Sequence, residues 1–190
     1  MNKKKLIVAW VMIALVTFTS YAYSQDIYKK GGEVYLDYKG KTYEVSQYAE
    51  GWDVFRFYSL QYWSKDKDEM PEGLVLILNK DGRVIKEIEN AEYCPDIELY
   101  DINADLRLDL ILFWYKGMHS KEVQVWINKD NKDFQKVFEQ FNDKNVSFSI
   151  RDGIPTLAFK KEYPMSATND NFPDSDYDFY KWDGKTFKIK

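Results

Sequence analysis

Short apolar runs separated by Gly, Asp and Asn set the rhythm of this chain. "EVYLDYKGKTYEV" (33–45) reads as a hairpin around Lys39-Gly40, and "LVLILNKDGRVIKEIE" (74–89) as one turning at Asp81-Gly82. "VQVWINKDNKDFQKVFE" (123–139) turns within Asn128–Asp133, "VSFSIRDGIPTLAFKKEY" (146–163) at Asp152-Gly153, and "YDFYKWDGKTFKIK" (177–190) at Asp183-Gly184. Asp-Gly and Asn-rich pairs between apolar runs are strong hairpin signals, because these residues accept the positive φ of tight turns. Five such units predict an all-β fold of antiparallel hairpins, partial-propeller-like or sandwich-like.

Two runs, 74–78 and 110–115, are continuously apolar and predict strands covered on both faces. In 122–127 the pattern alternates instead. Val123, Val125 and Ile127 share one side, and Glu122 and Gln124 the other, so one face should be wet. Phe134, Val137, Phe138 and Phe141 follow helical spacing. The strand-like flanks favour a strand there, so the expectation is at most one short helix. Segments 64–72 and 163–176 read as loops.

The N-terminus changes the picture of where the protein works. Lys3, Lys4 and Lys5 precede an apolar run over 6–18, with Ser20 and Ala22 at the −3 and −1 positions of a cleavage site. This predicts a signal peptide over 1–22, a single domain over 23–190, and a periplasmic or extracellular protein. The run is shorter than the roughly 20 residues of a membrane-spanning helix, so no membrane association is expected after cleavage. Cys94 is the only cysteine, which excludes an intramolecular disulfide. It reads as a buried inert thiol, with an exposed reactive one as the alternative.

Without the leader's three lysines, 24 basic residues face 31 acidic ones. That balance argues against a nucleic-acid partner. Aromatic residues make up 17% of the chain. They suit strands, with sugar binding as a second use.

One stretch places Asp or Asn at every second position, "DINADLRLD", residues 101–109, between two apolar strands. Alternating Asp and Asn side chains aim oxygens at one point, as calcium ligation requires. The candidate ligands are Asp101, Asn103, Asp105, the Arg107 carbonyl and Asp109. An EF-hand is excluded, since its twelfth position would be Leu112. Around this loop, "ELYDINADLRLDLILFWYKG…VQVWIN" resembles one FG-GAP/VCBS-type repeat, the calcium-loop repeat of integrin-like β-propellers, over about 95–130. "YKWDGKTFKI" is similar to the closing hairpin of small secreted proteins of this kind. The resemblance implies calcium held by Asp101, Asn103, Asp105 and Asp109. Leu106 stands where that family has Gly, and a positive φ there would strain Leu. The loop therefore has two readings, an ion site or a corner that keeps the shape without the ion.

Reaction chemistry has little support. His119 is the only histidine and sits in a turn, and adjacent Ser120 is not thereby a nucleophile. There is no histidine cluster, GxSxG or phosphate-binding Gly loop. Asp174, Asp176 and Asp178 alternate and could serve as paired carboxylates, but a charged edge strand is the preferred reading. The sequence thus predicts a non-catalytic binding module with a protein or glycan partner. The alternatives are a periplasmic inhibitor with a purely structural acidic loop, and a small carbohydrate-active enzyme.

Overall fold

Hairpin chemistry dominates the computed structural model, which describes residues 26–51, 54–64, 71–90, 93–117, 120–161 and 176–189. The signal-peptide segment, His119 and Asp174 lie outside these residues. The chain divides into two compact units, 1–42 and 43–190. In the first, β1 (Asp26–Lys30) and β2 (Glu33–Tyr38) form an antiparallel hairpin. The sequence pattern had not marked β1. Lys39 and Gly40 both take positive φ, as their turn requires.

β3 (Lys41–Gly51) leads into the second unit. There β3, β4 (Phe55–Tyr62), β5 (Glu72–Asn79) and β6 (Val84–Asn90) follow one another antiparallel across a sheet. A second meander holds β7 (Asp96–Tyr100), β8 (Asp109–Tyr115), β9 (Lys121–Lys129) and β10 (Asp133–Asn142). A third holds β11 (Val146–Arg151), β12 (Ile154–Lys160), β13 (Tyr177–Trp182) and β14 (Phe187–Ile189). The all-β expectation holds, in antiparallel sheets that pack sandwich-like. No α-helix occurs among the described residues.

The second meander is the middle layer. Alternation along β8 sends Leu110, Leu112 and Trp114 to one face, where they pack with Phe55, Phe57, Val75 and Ile77 of the first sheet. Ile111 and Phe113 point the other way, to Val146, Leu157 and Phe159 of the third. This two-sided burial is why β8 is apolar at every central position. Polar stitches fix the layers. Gln47 exchanges two hydrogen bonds with the backbone of Ile97, and buried Ser59 donates to the Pro95 carbonyl. Cys94 is half-buried, and its N–H donates to Gln61.

The helical spacing in 134–141 has a different cause. A bulge at Val137 interrupts the β9–β10 register, which runs Lys136↔Trp126 and then Phe138↔Val125. One extra residue inverts the alternation beyond it. Phe134 therefore packs into the first core, while Val137 and Phe138 pack against the second. The Val137 carbonyl accepts a 2.7 Å hydrogen bond from Thr186 Oγ1 of the third sheet.

Candidate functional site

Two places combine polar chemistry with a defined geometry: the 101–109 loop and a groove beside β9. The loop joins β7 to β8 at one end of the middle sheet. Ala104 and Leu106 have φ of 57° and 64°, so the chain does make the left-handed turn at the position where a glycine was expected. Leu106 is 79% exposed. It contributes little packing there, and its left-handed conformation costs about 1–2 kcal/mol.

The loop's oxygens turn inward onto the protein itself. Asp101 accepts the N–H groups of Asp105 at 3.0 Å and Leu106 at 2.9 Å. Asn103 Oδ1 also accepts the Asp105 N–H. Asp105 Oδ1 accepts the Arg107 N–H, and its Oδ2 accepts Asn103 Nδ2. The same Oδ2 is clasped by Arg107 Nε at 3.2 Å and Nη2 at 3.0 Å. Arg107 Nη2 also reaches Asp130 Oδ1 of the β9–β10 turn at 3.3 Å. A guanidinium thus lies on the carboxylate that would face an ion.

Asp109 is the structural hub. It is fully buried, and its two oxygens accept the N–H groups of Ile102 at 2.9 Å and Asn128 at 2.8 Å. Burial pushes its carboxyl up to about 6. The two backbone hydrogen bonds oppose that rise, and the charges of Asp105 and Asp101 add to it. Asn128 continues the clasp through the Leu108 carbonyl and Asn131.

All five expected ligands therefore gather in one loop, but in other roles. Arg107, expected to offer its carbonyl, engages through its N–H and side chain. Among the described residues no three His, Cys, Asp or Glu side chains converge as a metal site would need. In this arrangement the Arg107 guanidinium holds the Asp105 oxygen that a calcium ion would need. Millimolar calcium or a chelator should accordingly leave the melting temperature unchanged. Leu106→Gly should raise stability by up to about 1 kcal/mol, as relief of the left-handed strain exceeds the added freedom of the unfolded chain. Thermal melts of both proteins, with calcium and with chelator, check this.

The groove is the second place. About 420 Å³ of open space lies between β6, β9 and β10. Its floor is the polar side of β9, where Glu122, Gln124 and Trp126 alternate with the buried valines. Trp126 Nε1 donates to Gln124 Oε1 at 3.2 Å. Gln124 Nε2 in turn donates to Glu122 at 2.6 Å and Glu139 at 2.9 Å. The amide is oriented at both ends, so this floor is set in advance of any ligand. Lys116 bridges Asn90 at 2.7 Å and Glu122 at 3.8 Å, and Lys136 pairs with Glu139 at 2.7 Å. The Val137 bulge makes this possible. It lets Lys136 and Glu139, three apart, share one face of the strand.

The sequence pattern had marked the wet face of β9 but not the groove. Its walls come from β6 and β10, which are distant in sequence, and its shape depends on the bulge. The remaining candidates stay apart. Asp178 lies on β13 and pairs with Lys161 at 3.0 Å. β13 is interior to its sheet rather than an edge, although Asp178 has β12 alone beside it, across from Phe159. Asp176 precedes the strand, and its carbonyl accepts the Lys161 N–H. Ser120 Oγ approaches the Asp143 carbonyl at 3.5 Å. Comparison with known protein families, with curated proteins and with solved structures finds no match to this chain.

Proposed function

We infer that this protein is a non-catalytic binding module, exported to the periplasm or cell exterior, that recognises a partner through the β6–β9–β10 groove. The observation that carries the reading is the preset floor. Trp126, Gln124, Glu122 and Glu139 form one hydrogen-bonded chain in an open groove. A binding surface already ordered loses less conformational entropy on association. The acidic loop serves a structural part, a corner neutralised by Arg107, as in a repeat of FG-GAP/VCBS type that keeps the turn without the ion.

Charge reversal at the rim tests this. Glu89 and Glu139 are exposed, so Glu89→Arg with Glu139→Arg should keep the fold with only a small loss of melting temperature, the cost of the bonds from Glu139 to Gln124 and Lys136. Immobilised mature protein should retain a partner from the exported fraction of its source, and the double variant should lose it. Retention unaffected by the reversal contradicts recognition through the groove.

A further inference from the structure

The strand edges differ in how they are closed. At the outer edge of β7, the Gln47 side chain exchanges two hydrogen bonds with the Ile97 backbone. No strand lies beyond β1 among the described residues, and all five of its residues are exposed. An open strand edge is a template for another strand. Gly31 and Gly32, at φ of 65° and 97°, make the two-residue turn into β2 and set Lys30 opposite Glu33. In such a hairpin the residues flanking the turn exchange hydrogen bonds, and the pattern alternates from there. Asp26, Tyr28 and Lys30 therefore direct their N–H and C=O groups to β2, while Ile27 and Lys29 direct theirs outward.

We propose that β1 pairs antiparallel with β1 of a second copy of this chain, about a two-fold axis at Tyr28. The sequence "DIYKK" is complementary to itself in that register. Ile27 of each copy exchanges backbone hydrogen bonds with Lys29 of the other, using the groups that point outward. Asp26 of each copy stands opposite Lys30 of the other, and the two Tyr28 rings meet at the axis. Within one copy Asp26 faces Asp37 across the hairpin, a like-charge pair that costs stability. The Lys30 ammonium of the other copy arrives on that same face and offsets it. Tyr28 already stacks on Tyr35, with centroids 5.8 Å apart and planes at 24°, so the pairing sets four tyrosines in a row. Lysines on an edge deter indiscriminate pairing. Here they select one register. Displacement by two residues loses both aspartate–lysine pairs, and in one direction it sets Lys29 against Lys29. The inference is independent of the groove, whose strands take no part.

Sedimentation velocity of the mature protein over a concentration series tests this. A reversible monomer–dimer equilibrium is expected, since one short strand pair is a small interface. Asp26→Lys or Lys30→Asp should weaken it about tenfold, because symmetry turns both attractive pairs repulsive at once. The two changes together restore opposite charges and should return association to the parental strength. Ile27→Pro should abolish it and keep the hairpin, because the N–H it removes points away from β2. Far-UV circular dichroism checks that each variant retains the fold. A monomer at every concentration, or a dimer indifferent to Ile27→Pro, would overturn the proposal. Failure of the double exchange to recover what the single changes lose would also overturn it. None of these results bears on the groove, which the partner-retention experiment decides separately.

Discussion

Asp109→Ala should destabilise the protein by about 4 kcal/mol near pH 4, and by distinctly less above pH 7. Two buried N–H groups, those of Ile102 and Asn128, lose the Asp109 oxygens that accept them, at about 1–3 kcal/mol each. The pH dependence follows from the raised carboxyl. Its value rises from the ordinary 3.8 to about 6 on folding, so the folded state holds the proton more tightly than the unfolded chain. The resulting stabilisation is fully present below pH 3.8 and is lost as pH rises through 6, an effect of roughly 3 kcal/mol. The alanine variant lacks it at every pH, which makes its deficit largest in acid. Urea unfolding of both proteins at the two pH values measures the difference. A deficit independent of pH would show that Asp109 titrates like an ordinary surface aspartate.

Phe138→Ala should cost about 2 kcal/mol, through packing rather than hydrogen bonding. Phe138 is half-buried opposite Val125, and its ring meets those of Phe159, Tyr180 and Phe187, whose centroids lie 6.3, 5.7 and 5.6 Å away. The groove face should survive, because Lys136 and Glu139 keep their register. Deleting Val137 should cost less, because the ladder heals to Lys136↔Trp126 and Phe138↔Val125 with no residue changing face. Only the packing of Val137 and the hydrogen bond from Thr186 are then lost. Urea unfolding of both variants measures the order, and a deletion costlier than Phe138→Ala would mean that the bulge itself holds the strand.

The contrast between these two residues explains what the sequence could tell. Turn chemistry is local and was legible. Gly82, Gly153 and Gly184 all take positive φ at the turns their Asp-Gly pairs predicted, and Asp130 and Asn131 do so in the Asn-rich turn. Two-sided burial of β8 was legible because it needs an unbroken apolar run. The loop was located correctly because alternating Asp and Asn residues are conspicuous. What its side chains do was not legible, since spacing alone does not place the Arg107 guanidinium on Asp105 or turn Asp109 toward Asn128. The bulge imitated helical spacing, because the extra residue sends neighbouring Val137 and Phe138 to one core, opposite that of Phe134, where a regular strand would alternate them. The groove depends on sheet order, which pairs no two of its walls within a short stretch of chain.

Recognition through the groove is most directly tested by hydrogen exchange on the complex with the retained partner. Slowed exchange is expected over 87–90, 122–126 and 136–139, with the 101–109 loop unchanged. Protection confined to 101–109, with the groove strands exchanging as in the free protein, would contradict it and return recognition to the acidic loop.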